Sequence, residues 1–88
     1  MTVPSLQVTY RRGRAIAAYI SLGARVRKCH STQEASPGII VDYGRDGRAI
    51  GVELASPATA SLAAVNRVLR AVGVPALRRS DFAPLRVA

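Results

Sequence analysis

The sequence predicts a small α+β domain, an antiparallel β-meander of about five strands covered on one face by a C-terminal α-helix. Three observations carry that expectation. Residues 39–54, IIVDYGRDGRAIGVEL, alternate apolar and polar side chains on both sides of Asp46-Gly47, which is the pattern of a β-hairpin. Residues 57–72 change period: Ala58, Leu62, Val65, Leu69 and Val72 recur at spacings of four, three, four and three and draw one apolar stripe down a helix. A chain of 88 residues has room for one modest core, so sheet and helix must share it as a single domain.

The elements follow in order. Leu6, Val8 and Tyr10 alternate with Gln7 and Thr9, a short half-buried strand broken by Arg11-Arg12-Gly13. From Arg14 to Leu22, Ile16, Ala18, Ile20 and Leu22 fall on one face and Ala15, Ala17, Tyr19 and Ser21 on the other. A helix competes there because of the alanines, but Gly13 and Gly23 fence the segment to strand length. Residues 24–35 read as a third strand with a solvated face, suited to a sheet edge, and Ser36-Pro37-Gly38 turns the chain. In the next hairpin a two-residue Asp46-Gly47 loop would set Tyr43 opposite Ile50, Val41 opposite Val52 and Ile39 opposite Leu54. Ser56 and Pro57 are a natural N-cap and first helical residue, Gly73 supplies a left-handed stop and Pro75 prevents resumption, so the helix spans about 57–72. Its opposite face carries Asn66, Arg67 and Arg70. In the tail, 75–88, Ser80 can cap one short turn before Pro84, and Phe82 packs against the helix or a second subunit.

Thirteen Lys and Arg against five Asp and Glu give a formal charge of +8. Lys28 is the only lysine, and arginine suits bidentate contacts to phosphate or carboxylate, so an anionic partner is one reading and plain solubility the other. With 49% hydrophobic residues the chain is too apolar for disorder, and no apolar run reaches the ~20 residues that span a bilayer. One cysteine, Cys29, excludes an internal disulfide framework. The N-terminus lacks a basic stretch followed by an apolar one, so a cytoplasmic protein is expected.

No catalytic or metal-binding constellation rises above background. Cys29 and His30 are a nucleophile and a base by type, but neighbours on a strand point to opposite faces, and no third orienting residue stands near in sequence. Structural zinc takes four Cys or His ligands, and the chain has one of each. Asp42 and Glu53 share the face opposite the core, where they read first as solvated carboxylates and second as acceptors for arginine. The candidate contacts to an anionic partner are Arg11, Arg12 and Arg14 in the first turn, with Arg25 and Arg27 on one face of the third strand. Arg45 and Arg48 flank the second turn. The aromatic residues are too few for a base-stacking platform, and no phosphate loop is present.

The segments VTY at 8–10, AAYISL at 17–22 and GIIVDYGRDGRAIGVEL at 38–54, with the following helix closed by Gly and Pro, resemble the bacterial family called domain of unknown function 2283. The resemblance implies a small antiparallel sheet with a C-terminal helix, no enzyme activity and no cofactor. The resemblance further implies a place beside small toxin-like partners, and with it an antitoxin-like or regulatory role. Where the family has an acidic turn of the type Asp-Pro-Glu-Ala-Asp after its first strand, this chain has Arg11, Arg12, Gly13 and Arg14. The expected function is therefore a non-catalytic protein-interaction module, a homodimer with neither cofactor, membrane nor small-molecule substrate. The alternative is weak, non-specific binding of nucleic acid through the arginine clusters.

Overall fold

A computed structural model describes residues 5–23, 28–57 and 59–86. Five strands, β1 (Ser5–Arg11), β2 (Arg14–Ser21), β3 (Ser31–Ser36), β4 (Ile39–Tyr43) and β5 (Ala49–Leu54), form one antiparallel sheet. They are followed by α1 (Leu62–Ala71), the single turn α2 (Arg79–Phe82) and a 3-10 turn at Ala83–Arg86. The order across the sheet is β1-β2-β5-β4-β3, which corrects the consecutive meander expected from the sequence. Burial explains the order. In β5 Gly51, Val52 and Leu54 are buried, so this strand takes a central place, whereas Ser31 to Ala35 of β3 are exposed and suit an edge. The expected third strand over 24–35 is realised as 31–36, and residues 24–27 lie outside the described ones.

Three bulges correct the registers drawn from strict alternation. In the β4–β5 hairpin the Gly44 N–H bonds Arg48 O (2.9 Å) and the Gly47 N–H bonds Gly44 O (3.0 Å), with Gly47 at φ 82°. That is a three-residue loop with a left-handed third position, not the two-residue loop expected from Asp46-Gly47. Tyr43 therefore faces Ala49, and one extra residue in β5, Ile50, restores Val41↔Val52 and Ile39↔Leu54. In β2 the register shift leaves Ile16 between the partners of Thr9 and Tyr10; it turns outward and is 47% exposed, while Ala15 takes the buried side. The third bulge, at Ala35, sits in the edge strand β3. At the β1–β2 turn Arg12 (φ 52°) and Gly13 (φ 77°) are both left-handed, the geometry of a two-residue hairpin turn that matches strand twist.

The helix begins later than its apolar stripe suggests. Ser61, not Ser56, is the N-cap, and its hydroxyl accepts from the Ala64 N–H at 3.0 Å. Ser56 O takes the Thr59 and Ala60 N–H groups (3.1 Å each) in an isolated turn, with Pro57 buried beside it. The stop is as expected. Gly73 is left-handed (φ 79°), its N–H bonds Arg70 O (3.1 Å), and the Val74 N–H reaches back to Leu69 O (2.9 Å), which completes a Schellman motif.

One cluster of buried side chains unites the sheet residues Ala18, Ile20, Ile39, Val41, Val52 and Leu54 with Val65, Val68 and Leu69 of α1 and with Leu77, Phe82 and Leu85 of the tail. Asn66, placed on the polar helix face by sequence, is instead buried. Its side-chain nitrogen donates to Leu77 O (3.0 Å) and its oxygen accepts the Leu77 N–H (2.8 Å), so it stitches the tail to α1 as one rung of a β-ladder would. Tyr10 donates to Pro84 O and ties β1 to the end of the tail. Among the described residues no helix is long and apolar enough to cross a membrane.

Candidate functional site

Among the described residues local structure concentrates charge at the β1–β2 turn. Arg11 and Arg14 pair directly across it and Arg12 occupies its first central position, so three exposed arginines crowd a turn of four residues. Two costs are held there. A left-handed non-glycine residue is disfavoured by about 1–2 kcal/mol, and like charges directly opposite on paired strands repel. No carboxylate of a described residue pairs with these arginines. Of the other candidate contacts, Arg25 and Arg27 lie outside the described residues, and Arg45 and Arg48 do not join the first turn. The register Ala18↔Leu54 and Ser21↔Gly51 places the arginine turn at the end of the sheet where β5 finishes, and the 45–48 turn at the end where it starts. Arg48 there sits beside Asp46, whose side chain also accepts the Arg48 N–H at 3.1 Å.

The sheet face opposite the buried cluster is polar. Cross-strand pairing puts Gln7, Tyr19, Glu53, Ile40 and Glu34 in one row and Ser21, Gly51, Asp42 and Thr32 in the next. Tyr19 lies over Gly51 so closely that a Cβ at 51 would overlap its ring and hydroxyl. Burial of the phenol, its hydrogen bond to Asp42 and the nearby carboxylates push the Tyr19 pKa up to about 12. Asp42 thus accepts the Tyr19 hydroxyl. Sequence reasoning missed this trio, although an isolated glycine in a strand is the signal for close approach of another group. Glu34 accepts the Gly38 N–H (3.3 Å) across the β3–β4 turn.

The Cys29 thiol donates to Ser31 O (3.4 Å) and not to His30, and both residues are exposed. Among the described residues no group of three or more His, Cys, Asp or Glu is placed to hold a metal ion. Two concave features among the described residues are a half-open groove of about 430 Å³ between β3 and α1, floored by Val41 and Val68 and bordered by Arg67, and one of about 390 Å³ between the β3–β4 turn and residues 56 and 59–64.

Residues 17–56 match the model of the family described as "Protein of unknown function (DUF2283)". The matched stretch runs from the middle of β2 to just past β5, so it takes in the Tyr19–Asp42–Gly51 trio and leaves out the arginine turn and α1. No curated protein and no solved structure matches the chain.

Proposed function

We propose that this chain is a non-catalytic protein-interaction module whose partner is acidic. The observation that supports it is the β1–β2 turn, where three arginines are held together against left-handed strain and mutual repulsion with no carboxylate of a described residue paired with them. The turn geometry serves the hairpin, but arginine in place of Asn or Gly at its first position and the crowding of three arginines lower stability without improving it, and an anionic surface docking on the turn would relieve the repulsive part. A protein suits it better than nucleic acid, because the arginine turns at 11–14 and 45–48 lie at opposite ends of the sheet and make no continuous basic track. An antitoxin-like role fits this reading. The free, exposed thiol of Cys29 suits a reducing compartment, so we place the protein in the cytoplasm.

The expected homodimer now rests on the outer edges of β1 and β3 alone. Phe82, which the sequence offered to the helix or to a second subunit, is buried with Leu85 in the chain's own cluster alongside α1. Both edges are also blunted: β3 carries a bulge and a polar sequence, and β1 ends in the arginine turn. Sedimentation at high micromolar concentration reads the mass, and a value near 9.3 kDa removes the dimer.

The test of the module is a pull-down from native lysate with and without nuclease, using the parent and an Arg11→Ala, Arg12→Ala, Arg14→Ala variant. A protein retained after nuclease by the parent and lost by the variant is the expected result. Retention of nucleic acid alone would replace the reading with its alternative.

A further inference from the structure

We infer that the groove between β3 and α1 is the docking channel for a segment of the acidic partner, a peptide that inserts an apolar side chain over Val41, Val68 and Val72 and pairs a carboxylate with Arg67. The inference rests on the proposed interaction role and assigns it a second surface, remote in sequence from the arginine turn.

Along α1 the residues Ala64, Arg67, Val68, Ala71 and Val72 follow the spacing of one helix face, and all of them line the groove. Gln33, Ala35 and Ser36 of β3 form the opposite wall. Ala35, Ser36, Ala64 and Ala71 keep much of the wall short, Gln33, Tyr43 and Arg67 border it, and the floor is apolar, so the groove can receive an apolar side chain of a partner. Its volume of about 430 Å³ falls in the range of functional clefts. Because it is half open to solvent, a chain segment fits it better than an enclosed small molecule.

Charge selects the occupant. Arg67 is the one charged residue of the lining, is exposed, and has no carboxylate of a described residue paired with it; Arg70 follows one turn along α1. The carboxylates Glu34, Asp42 and Glu53 stand on the opposite face of the sheet. A second copy seated here about a two-fold axis would bring the Arg67 and Arg70 side chains of both chains together, which is repulsive. A copy presenting its carboxylate face instead would make a head-to-tail contact, which builds a ring or an open filament rather than a two-fold dimer. An acidic segment of a different protein meets neither obstacle, and a guanidinium at the rim of an apolar cleft favours a bidentate carboxylate.

A phage-displayed library of random peptides of about ten residues, panned against the full chain, supplies the probe. Enriched peptides, then made synthetically, should carry an aliphatic or aromatic residue close to Asp or Glu. Their affinity should fall about tenfold or more with Arg67→Glu and with Ala71→Leu, which fills the groove from an exposed helical position, and hold with Arg48→Glu. The thermal midpoint of each variant shows that it is folded. Enriched peptides without acidic residues, or peptides indifferent to Arg67→Glu and Ala71→Leu, would overturn the groove assignment while leaving an interaction module. An absence of any enriched peptide overturns the groove, and an absence of a lysate partner as well overturns both.

Discussion

Arg12 shows how much a single backbone angle can say about selection. Its φ of 52° is the only positive value of a non-glycine residue among those described, and Asn or Gly would hold that position of the turn at lower cost. Arg12→Asn should therefore stabilise the fold by about 0.5–1 kcal/mol, read from the denaturant midpoint at unchanged slope, while weakening capture of an acidic partner. A loss of stability would mean that the arginine makes a compensating contact. Tyr19 is the other residue whose environment sets a measurable property. Its pKa of about 12 against the ordinary 10.0 means that the folded chain holds the phenol proton more tightly than the unfolded chain does. The contribution is complete below pH 10 and is lost as pH rises from 10 through 12. Absorbance titration should show one tyrosinate forming near pH 12 in the parent, absent in Tyr19→Phe and moved downward in Asp42→Asn, where the carboxylate charge is gone. Gly51 makes this arrangement possible, and its meaning was legible only in part. A glycine in mid-strand says that something approaches, but which ring arrives depends on β5 lying beside β2, a long-range choice that alternation along one strand does not encode.

Elements were legible where their signals are local. The hairpin core, with Val41 against Val52 and Ile39 against Leu54, and the Gly73 stop of α1 follow from turn and cap chemistry. What strict alternation missed are the bulges, which shift a register by one residue and so turned Ile16 outward and Ala15 inward. The helix start was missed because two serines compete as caps, and Ser61 takes the helix while Ser56 closes an isolated turn. Asn66 was misplaced for a related reason: a polar residue on a helix reads as solvent-facing unless its partner, here the backbone of Leu77, is known. Asn66→Ala would leave the Leu77 N–H and C=O without their partner in a buried place. It should cost about 2–4 kcal/mol and loosen the tail, visible as faster amide exchange at Leu77, Phe82 and Leu85. A change below about 0.5 kcal/mol would show that the stitch is dispensable. The buried cluster gives a companion test, since Val52 and Leu69 are both fully buried within it. Truncation to Ala should cost about 2–4 kcal/mol, with valine at the lower end, and unchanged midpoints in both would separate helix from sheet.

At the scale of the molecule the decisive property is where the charge lies, and the sequence showed its amount without its layout. A net charge of +8 is compatible with a nucleic-acid track or with separate contact points. The strand order places two of the clusters, because inserting β5 between β2 and β4 sets the arginine turn at one end of the sheet and Arg45 and Arg48 at the other. The principal extent of the chain is 38 Å, several times the ~10 Å over which salt at 0.1 M screens exposed charges, so clusters near opposite ends act separately. Duplex DNA binding should accordingly be weak and indifferent to sequence, driven by counterion release at one cluster at a time. If about four phosphates are neutralised, the logarithm of the binding constant falls with the logarithm of salt at a slope near −3.6, and each arginine of the turn that contacts phosphate contributes about 0.9 of it. Titration of unrelated labelled duplexes at several salt concentrations, with the Arg11→Ala, Arg12→Ala, Arg14→Ala variant alongside, measures both quantities. The expected result is a common slope for all sequences that flattens in the variant. Tight binding of one sequence that survives high salt would require base contacts and a continuous surface to position them, and would contradict a mode in which the separate arginine turns at 11–14 and 45–48 each engage phosphate.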